Sequence, residues 1–330
     1  MNKQNIPKKI LHWYDNNKRS LPWRRKSTKK QHEYFTLVSE FMLQQTQVKT
    51  VIPFFIRFVK KFPSLKSLAN ADENKVLKYW DGLGYYSRAI NLKKTATKLL
   101  LEHQGSLPKD LEKLKALPGI GEYTSRSILA IAHNQPYIPM DGNVERILKR
   151  VFLLKNKDQT SKENLIEKKN FFSNSKRSSD YAQAIMEIGA LICRPSLPIC
   201  TSCPLTAYCK AYKKKDFAIF TKNKFNKTKY FEAQVHKHKN KYLLIKNKKF
   251  NFLKNLIIFP MNEIKKEKFQ LSIDKKINIK LSNMNMKITI NKNNNRKIIK
   301  NGFFLDRSNF SKFILPSFTK KIFKSLPNFK

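Results

Sequence analysis

Two acidic residues and four cysteines are the side chains of this sequence best placed to do chemistry. Glu40 is the only acid in residues 35–48 (FTLVSEFMLQQTQV), a stretch with no Lys or Arg in a chain that carries 68 of them among 330 residues. Phe35, Leu37, Val38, Phe41, Met42 and Leu43 wrap apolar surface around most of a helix, and Thr36, Glu40, Gln44 and Gln47 share its one polar stripe. A stripe without cations reads as half-buried, and desolvation raises a carboxyl pKa towards the range of a general acid. A solvent-facing Glu is the plainer alternative. Asp141 is set to cap a helix over 142–154, a duty that accounts for it unless a second carboxylate faces the same site. Cys193, Cys200, Cys203 and Cys209 are the only four cysteines, within seventeen residues and separated by six, two and five others. Four thiols so close suit a metal centre better than disulfides in a reducing compartment. Zinc usually takes two CxxC-like pairs. Here one pair has two outlying partners, which suits an iron-sulfur cluster as well or better.

The elements that must position these groups are helical from residue 6 to about 192. Helices are expected near 31–48, 51–61, 72–80, 87–103, 125–133 and 142–154, after an N-terminal one carrying Ile6, Ile10, Leu11 and Tyr14 on one face. Of eight glycines, Gly82, Gly84, Gly119, Gly121 and Gly142 crowd into three short turns. The hairpin Pro118-Gly119-Ile120-Gly121 joins a short helix to a longer one, and such a turn can aim free N–H groups at an anion. An ordinary helix-helix loop is the competing reading. In GLGYYSR, Tyr85 and Tyr86 could wedge between bases or simply pack in the core. Past about residue 215 the texture changes to β-type runs, TKYFEAQV, NKYLLIK, LIIFP and MKITI, before a closing helical stretch.

Length allows two domains with sizeable cores. Lys and Arg exceed Asp and Glu by 45, which favours a polyanion, nucleic acid ahead of a membrane surface. Part of that charge is compositional drift, visible in tracts such as NKNNNRKIIKN. No run of about 18 apolar residues could span a bilayer. The basic N-terminus lacks the apolar core of a signal peptide, so the expected compartment is the cytoplasm.

Taken together, LPWR (21–24), SEFMLQQTQV (39–48), WDGLGYYSRA (80–89), LPGIG (117–121), MDGNVERI (140–147) and the four-cysteine loop resemble, in order, the motifs of A/G-specific adenine DNA glycosylases, the MutY family. The match is strong over about residues 6–212. It implies a mainly α N-terminal domain of the helix-hairpin-helix glycosylase superfamily at 1–215, with one 4Fe-4S cluster on Cys193, Cys200, Cys203 and Cys209 in a loop at 193–209. A linker at 216–228 and a smaller, divergent α+β Nudix-like domain at 229–330 would follow. The implied reaction is monofunctional excision of adenine mispaired with 8-oxoguanine or guanine in double-stranded DNA. Glu40 matches the acid that protonates adenine N7, Asp141 the carboxylate facing C1', and Asn143 a residue that helps hold the Asp and the sugar. Tyr123 stands where the superfamily's bifunctional branch has a lysine nucleophile, so lyase chemistry is not expected.

Gln45 and Tyr85 match residues that fill or wedge the duplex when the base is flipped out. Arg24 and Gln183 match adenine-pocket positions, Arg194 a phosphate contact, and Gly119 and Gly121 the DNA-binding hairpin. About four extra residues between Trp23 and Glu40 depart from the family pattern and point to a remodelled first pocket loop. In the C-terminal half, NLIIFP resembles a Nudix strand, and Leu281-Ser282-Asn283 stands where the family reads the lesion through Phe-Ser-His, so Ser282 alone remains. A bacterial, nucleoid-associated monomer is implied. The competing readings are an endonuclease III-like lyase or a T/G-mismatch thymine glycosylase, both of which Glu40 argues against, and a non-catalytic cluster-bearing DNA-binding protein, whose signature would be loss of Glu40 or Asp141.

Overall fold

Helix α2 (Lys29–Leu43) is interior over nearly its whole length, and the first part of the chain is built around it. Tyr34, Phe35, Leu37, Val38, Phe41 and Met42 are buried, and so are Glu33, Thr36, Ser39 and Glu40 on the remaining face. The computed structural model describes residues 5–25, 27–156, 158–159, 161, 164–165, 176–218, 227–281, 284–293, 302–313 and 315–326. The chain packs as two units, one of Met1–Ala71 with Ser87–Lys222, the other of Asp72–Tyr86 with Asn223–Lys330.

In the first unit, α1 (Asn5–Asn17) buries Ile6, Ile10, Trp13 and Tyr14. Phe55 of α3 (Val48–Lys61) packs edge-on against Trp23 and Phe35. Next come α4 (Leu65–Ala69), α6 (Ser87–Glu102) and α7 (Leu111–Lys115), Asp72–Tyr86 between α4 and α6 belonging to the second unit. The unit continues with α8 (Glu122–His133), α9 (Gly142–Phe152), α10 (Ser178–Leu191) and a short α11 (Lys210–Lys213). Helix α2 stops at Leu43, earlier than the apolar pattern predicts, because the buried Arg88 guanidinium of α6 donates to the carbonyls of Phe41, Met42 and Gln44. Those are the acceptors a helix end leaves unpaired. Gln45 then takes φ 55 and turns the chain into α3.

The hairpin between α7 and α8 is locked to the same helices. Thr95 of α6 donates to the Pro118 carbonyl at 2.8 Å, and the Gln44 side chain donates to the Gly119 carbonyl at 3.2 Å. Gly119 has φ 78, and a Cβ there would stand 2.8 Å from Asn91 Cβ and 2.9 Å from Phe41. Gly121 and Gly142 meet nothing within 4 Å, so packing within the protein does not demand glycine at those two positions.

The second unit contains α5 (Glu73–Trp80), whose following turn is tied by the Trp80 indole to the Gly84 carbonyl at 3.0 Å and by the Tyr86 hydroxyl to Asp81 at 2.6 Å. Its sheet comprises β1 (Lys227–His238), β2 (Lys241–Lys246), β3 (Ile257–Ile258), β4 (Met261–Ile264), β5 (Lys275–Leu281), β6 (Met284–Asn293) and β7 (Gly302–Asp306). The path runs β3-β2-β1-β6-β5, with β4 on β1 and β7 on β2. Among the described residues only β1 and β6 pair in parallel, from Lys227↔Met284 to His236↔Asn293. Phe231, Ala233 and Val235 alternate into a core with Ile288, Ile290 and the apolar face of α13 (Ser317–Ser325). A short α12 (Lys266–Leu271) lies between β4 and β5. The expected division into a mainly helical part and a smaller α+β part is therefore what the chain adopts. Strands β4, β5 and β7 and helix α12 were not among the expected elements.

Replacing Gly119 with Ala puts a side chain at positive φ against Asn91 and Phe41, and about 2 kcal/mol or more of stability should be lost. A urea midpoint for Gly119→Ala equal to that of the unaltered chain would show that the hairpin does not need this close approach.

Candidate active site

One cavity of about 650 Å³ in the first unit gathers seven of the residues singled out from sequence: Arg24, Glu40, Gln45, Tyr123, Asp141, Asn143 and Gln183 all line it. Its size suits a small organic group. Helix α2 supplies Glu40, α8 supplies Tyr123, the first turn of α9 supplies Asp141 and Asn143, and α10 supplies Gln183.

Glu40 is 6% exposed. Burial, with a smaller push from nearby Asp141, raises its carboxyl pKa from 4.5 to about 7, against the lowering effects of Ser127 and Arg24. A carboxyl in that position holds its proton near neutrality and can give it up. Ser127, fully buried on α8, is near enough to lower both Glu40 and Tyr123, yet its hydroxyl makes no hydrogen bond of regular geometry with any described group. Tyr123 is pushed well above its ordinary value by burial and by the two carboxylates, so it stays a phenol, and its hydroxyl lies 3.6 Å from Met186 Sδ.

Asp141 is held differently. As N-cap of α9 its Oδ1 accepts from the backbone of Asn143 at 2.9 Å and Val144 at 2.7 Å, and its Oδ2 accepts from Asn143 Nδ2 at 2.9 Å. Asn143 Oδ1 in turn accepts from Arg146 Nη2 at 2.7 Å, and the same guanidinium donates to the carbonyls of Gly189 and Cys193. Gly189 has no room for a side chain, since a Cβ would stand 2.5 Å from Asn143 Cβ.

Glu187 lines the cavity and escaped the sequence reading. It is 1% exposed and bridges Arg19 Nε and Arg24 Nη1, each at 2.8 Å. The signal was available, because Glu187 is the lone charge in YAQAIMEIGALI, the same kind of charge-poor stretch that marks Glu40. Arg24 thus faces the cavity already committed to Glu187, and the Gln183 amide donates to Ser179 one turn earlier. Gly119 and Gly121 shape the hairpin and do not line the cavity. Arg194 is exposed on the cysteine loop. Tyr85 belongs to the second unit, with φ 47 and 42% exposure. Ser282 and Asn283 lie outside the described residues.

The four cysteines line a second, apolar cavity beside Ile147, Ile188 and Leu205. Arg150 closes its rim, with Nη1 3.4 Å from Cys193 Sγ and hydrogen bonds to the carbonyls of Arg194 and Pro195. Burial, helped by the neighbouring thiols, pushes Cys203 up to about 12 and raises Cys200 and Cys209. Among the described residues no three His, Cys, Asp or Glu side chains converge to hold a single metal ion.

Comparison with known proteins identifies the family. A family model described as HhH-GPD superfamily base excision DNA repair protein matches residues 38–171. An adenine DNA glycosylase of Buchnera aphidicola subsp. Baizongia pistaciae (strain Bp) is 35% identical over 319 residues, 88% of this chain and 89% of that protein. The chain belongs to the adenine DNA glycosylase family. Base excision from DNA is accordingly the chemistry of this adenine DNA glycosylase family member. The mouse adenine DNA glycosylase is 41% identical over 213 residues, 62% of this chain and 41% of the mouse protein. Among solved structures, a thermostable thymine-DNA glycosylase is alike at TM-score 0.56 and 23% identity, over 64% of this chain and 97% of that one. That likeness concerns the fold alone. No helix among the described residues is long and apolar enough to cross a membrane.

A carboxyl raised to about 7 in the folded state favours folding fully only below its unfolded value of 4.5, and that contribution is lost as pH rises through 7. Glu40→Gln cannot ionise, so between about pH 4.5 and pH 8 it should gain roughly 3 kcal/mol relative to the unaltered chain. Urea unfolding at the two pH values measures this. Parallel pH dependence in both proteins would mean that Glu40 is not a buried neutral acid.

Proposed function

We propose that this enzyme is a monofunctional glycosylase that hydrolyses the N-glycosidic bond of adenine opposite 8-oxoguanine or guanine in duplex DNA. The observation that carries the reading is a pair of carboxyls facing one cavity, with Glu40 raised to about 7 and Asp141 fixed by three N–H donors. Glu40 protonates N7, so that adenine departs neutral. Asp141 faces C1' and stabilises the positive charge that develops there, as preorganised anions do. Asn143 holds the Asp, its amide donating to Asp141 Oδ2 while its oxygen is engaged by Arg146. Tyr123 offers no amine for imine formation, which supports hydrolysis without strand cleavage. Arg24, joined by Glu187, and Gln183 bound the base pocket. Gln45 and Tyr85, both at positive φ, fill the duplex where the base has left. Gly119 and Gly121 at the hairpin and Arg194 on the cysteine loop meet the phosphate backbone.

Cys193, Cys200, Cys203 and Cys209 hold one 4Fe-4S cluster. All four line one apolar cavity, which supports their serving a single group together. Buried thiols with raised pKa values need a positive centre to become ligating thiolates. A bound cluster would serve to order a basic loop against DNA, and Arg150 braces that loop through the Arg194 and Pro195 carbonyls. The domain scheme is a glycosylase domain at 1–215, a linker at 216–228 and a divergent Nudix-like lesion-recognition domain at 229–330. Ser282 is the residue left of the lesion-reading turn. A cytoplasmic, nucleoid-associated monomer in a bacterium fits these assignments.

Single-turnover assays on duplexes with A opposite 8-oxoguanine, A opposite G and T opposite G test the substrate. Adenine release from the first two and none from the third is expected. Glu40→Gln should reduce release by at least about a hundredfold, and the rate constant of the unaltered enzyme should fall as pH rises through about 7, where the acid loses its proton. Thymine release, or a Glu40→Gln enzyme near full rate, would overturn the assignment. Anaerobically purified protein should contain about four irons per chain. Stoichiometric zinc without iron would contradict the cluster.

A further inference from the structure

We infer that Ser127 is a positioning residue for the acid, a buried hydroxyl kept free in α8 to meet the Glu40 carboxylate once its proton has left. The inference rests on the reading of Glu40 as the proton donor. Ser127 is 0% exposed and its Oγ has no hydrogen-bond partner among the described residues. A buried, unpaired hydroxyl is costly. Serine inside a helix usually relieves that cost by bonding back to the preceding turn, and Ser125 does so, donating to the Glu122 carbonyl at 3.0 Å. Ser127 does not. Alanine would fill the position with better helix propensity and no polar group, so the hydroxyl calls for a use.

Its position supplies one. Ser127 stands one turn beyond Tyr123 on the same side of α8, the helix that packs on α2, and its hydroxyl is near both the Glu40 carboxyl and the Tyr123 phenol. Of the cations near Glu40, Arg19 and Arg24, from the segment before α2, are bound to Glu187 of α10, and Arg24 still lowers Glu40 by its charge. His32, from α2 itself, lies 3.1 Å from the Ile131 carbonyl. Asp141, from the mouth of α9, repels a charged Glu40. Lys49 of α3 also lines the cavity, so the pH dependence read below is that of Glu40 among these groups. In the reaction, the proton passes from Glu40 to the base nitrogen and the glycosidic electron pair leaves with the base. A carboxylate then remains in a poorly solvated place. The Ser127 O–H, which makes no hydrogen bond in the resting site, donates to it in preference to the neutral Tyr123 phenol, and no covalent bond to Ser127 forms or breaks.

The test is single-turnover release of adenine from a duplex with A opposite 8-oxoguanine, followed from about pH 5.5 to 9 for the unaltered enzyme, Ser127→Ala, Ser127→Thr and Glu40→Gln. Without the hydroxyl the carboxylate is less favoured, so in Ser127→Ala the alkaline fall should move up by about half to one pH unit. The plateau rate should drop by about 3- to 10-fold, because the proton is given up less readily. Ser127→Thr, which keeps the hydroxyl, should return both towards the unaltered values. A folded Ser127→Ala enzyme whose alkaline fall stays in place, whatever its rate, overturns the role of Ser127 while leaving Glu40 as the acid. A Glu40→Gln enzyme that keeps the rate and the fall overturns the reading of Glu40, and the Ser127 role with it.

Discussion

Burying Glu40 inside α2 is the constraint on which the active site depends. A carboxyl 6% exposed on a helix that packs against α8 cannot carry charge cheaply, so it holds its proton towards neutrality. The rest of the first unit makes that burial possible. Arg88 satisfies the carbonyls at the end of α2 and lets the chain turn sharply just past the acid. The hairpin then closes over the same helix end through Gly119 and Gln44.

Glu40 and Asp141 face the same cavity but are built for opposite tasks. Glu40 is poised to change its charge, while Asp141 has both oxygens committed to N–H donors from the first turn of α9. Preorganised charge is worth more than charge that must reorient during the reaction. The hydrogen-bonded chain from Asp141 through Asn143 and Arg146 to the Gly189 and Cys193 carbonyls extends that rigidity to α10 and the cysteine loop. Gly189 is part of the same arrangement, since any side chain there would push α9 away from α10.

Much of this was legible in the sequence, and the failures have physical causes. Glu40 stood out because it was the one charge in a cation-free stretch. Glu187 has the same signature, but its meaning depends on Arg19 and Arg24, which lie more than 160 residues away in sequence. Helix α2 was expected to run to Val48 because apolar periodicity does not register a guanidinium arriving from α6. The glycine-poor composition pointed to Gly119, Gly121 and Gly142 alike. Packing requires only the first of these three, and it also requires Gly189, which sits unmarked inside a helix. Close approach between elements distant in sequence leaves no local trace. Strands β5 and β7 were missed for another reason. In KKINIKL the lysines occupy exposed positions that tolerate almost any residue, so compositional drift has blurred the alternation that would have marked a strand.

The same drift bears on how the net charge is read. An excess of 45 positive charges would suggest binding spread over the whole surface, yet Arg19, Arg24, Arg88, Arg146 and Arg150 are spent inside the first unit on Glu187, helix ends, Asn143 and loop carbonyls. Arginine's planar, multi-donor head suits these fixed roles, whereas the lysines are mostly exposed. Exposed lysines supply affinity that salt screens and no sequence or base preference. On the proposed reading selectivity falls to the few residues around the cavity, where Glu40 is raised to about 7 and Asp141 is fixed by three N–H donors.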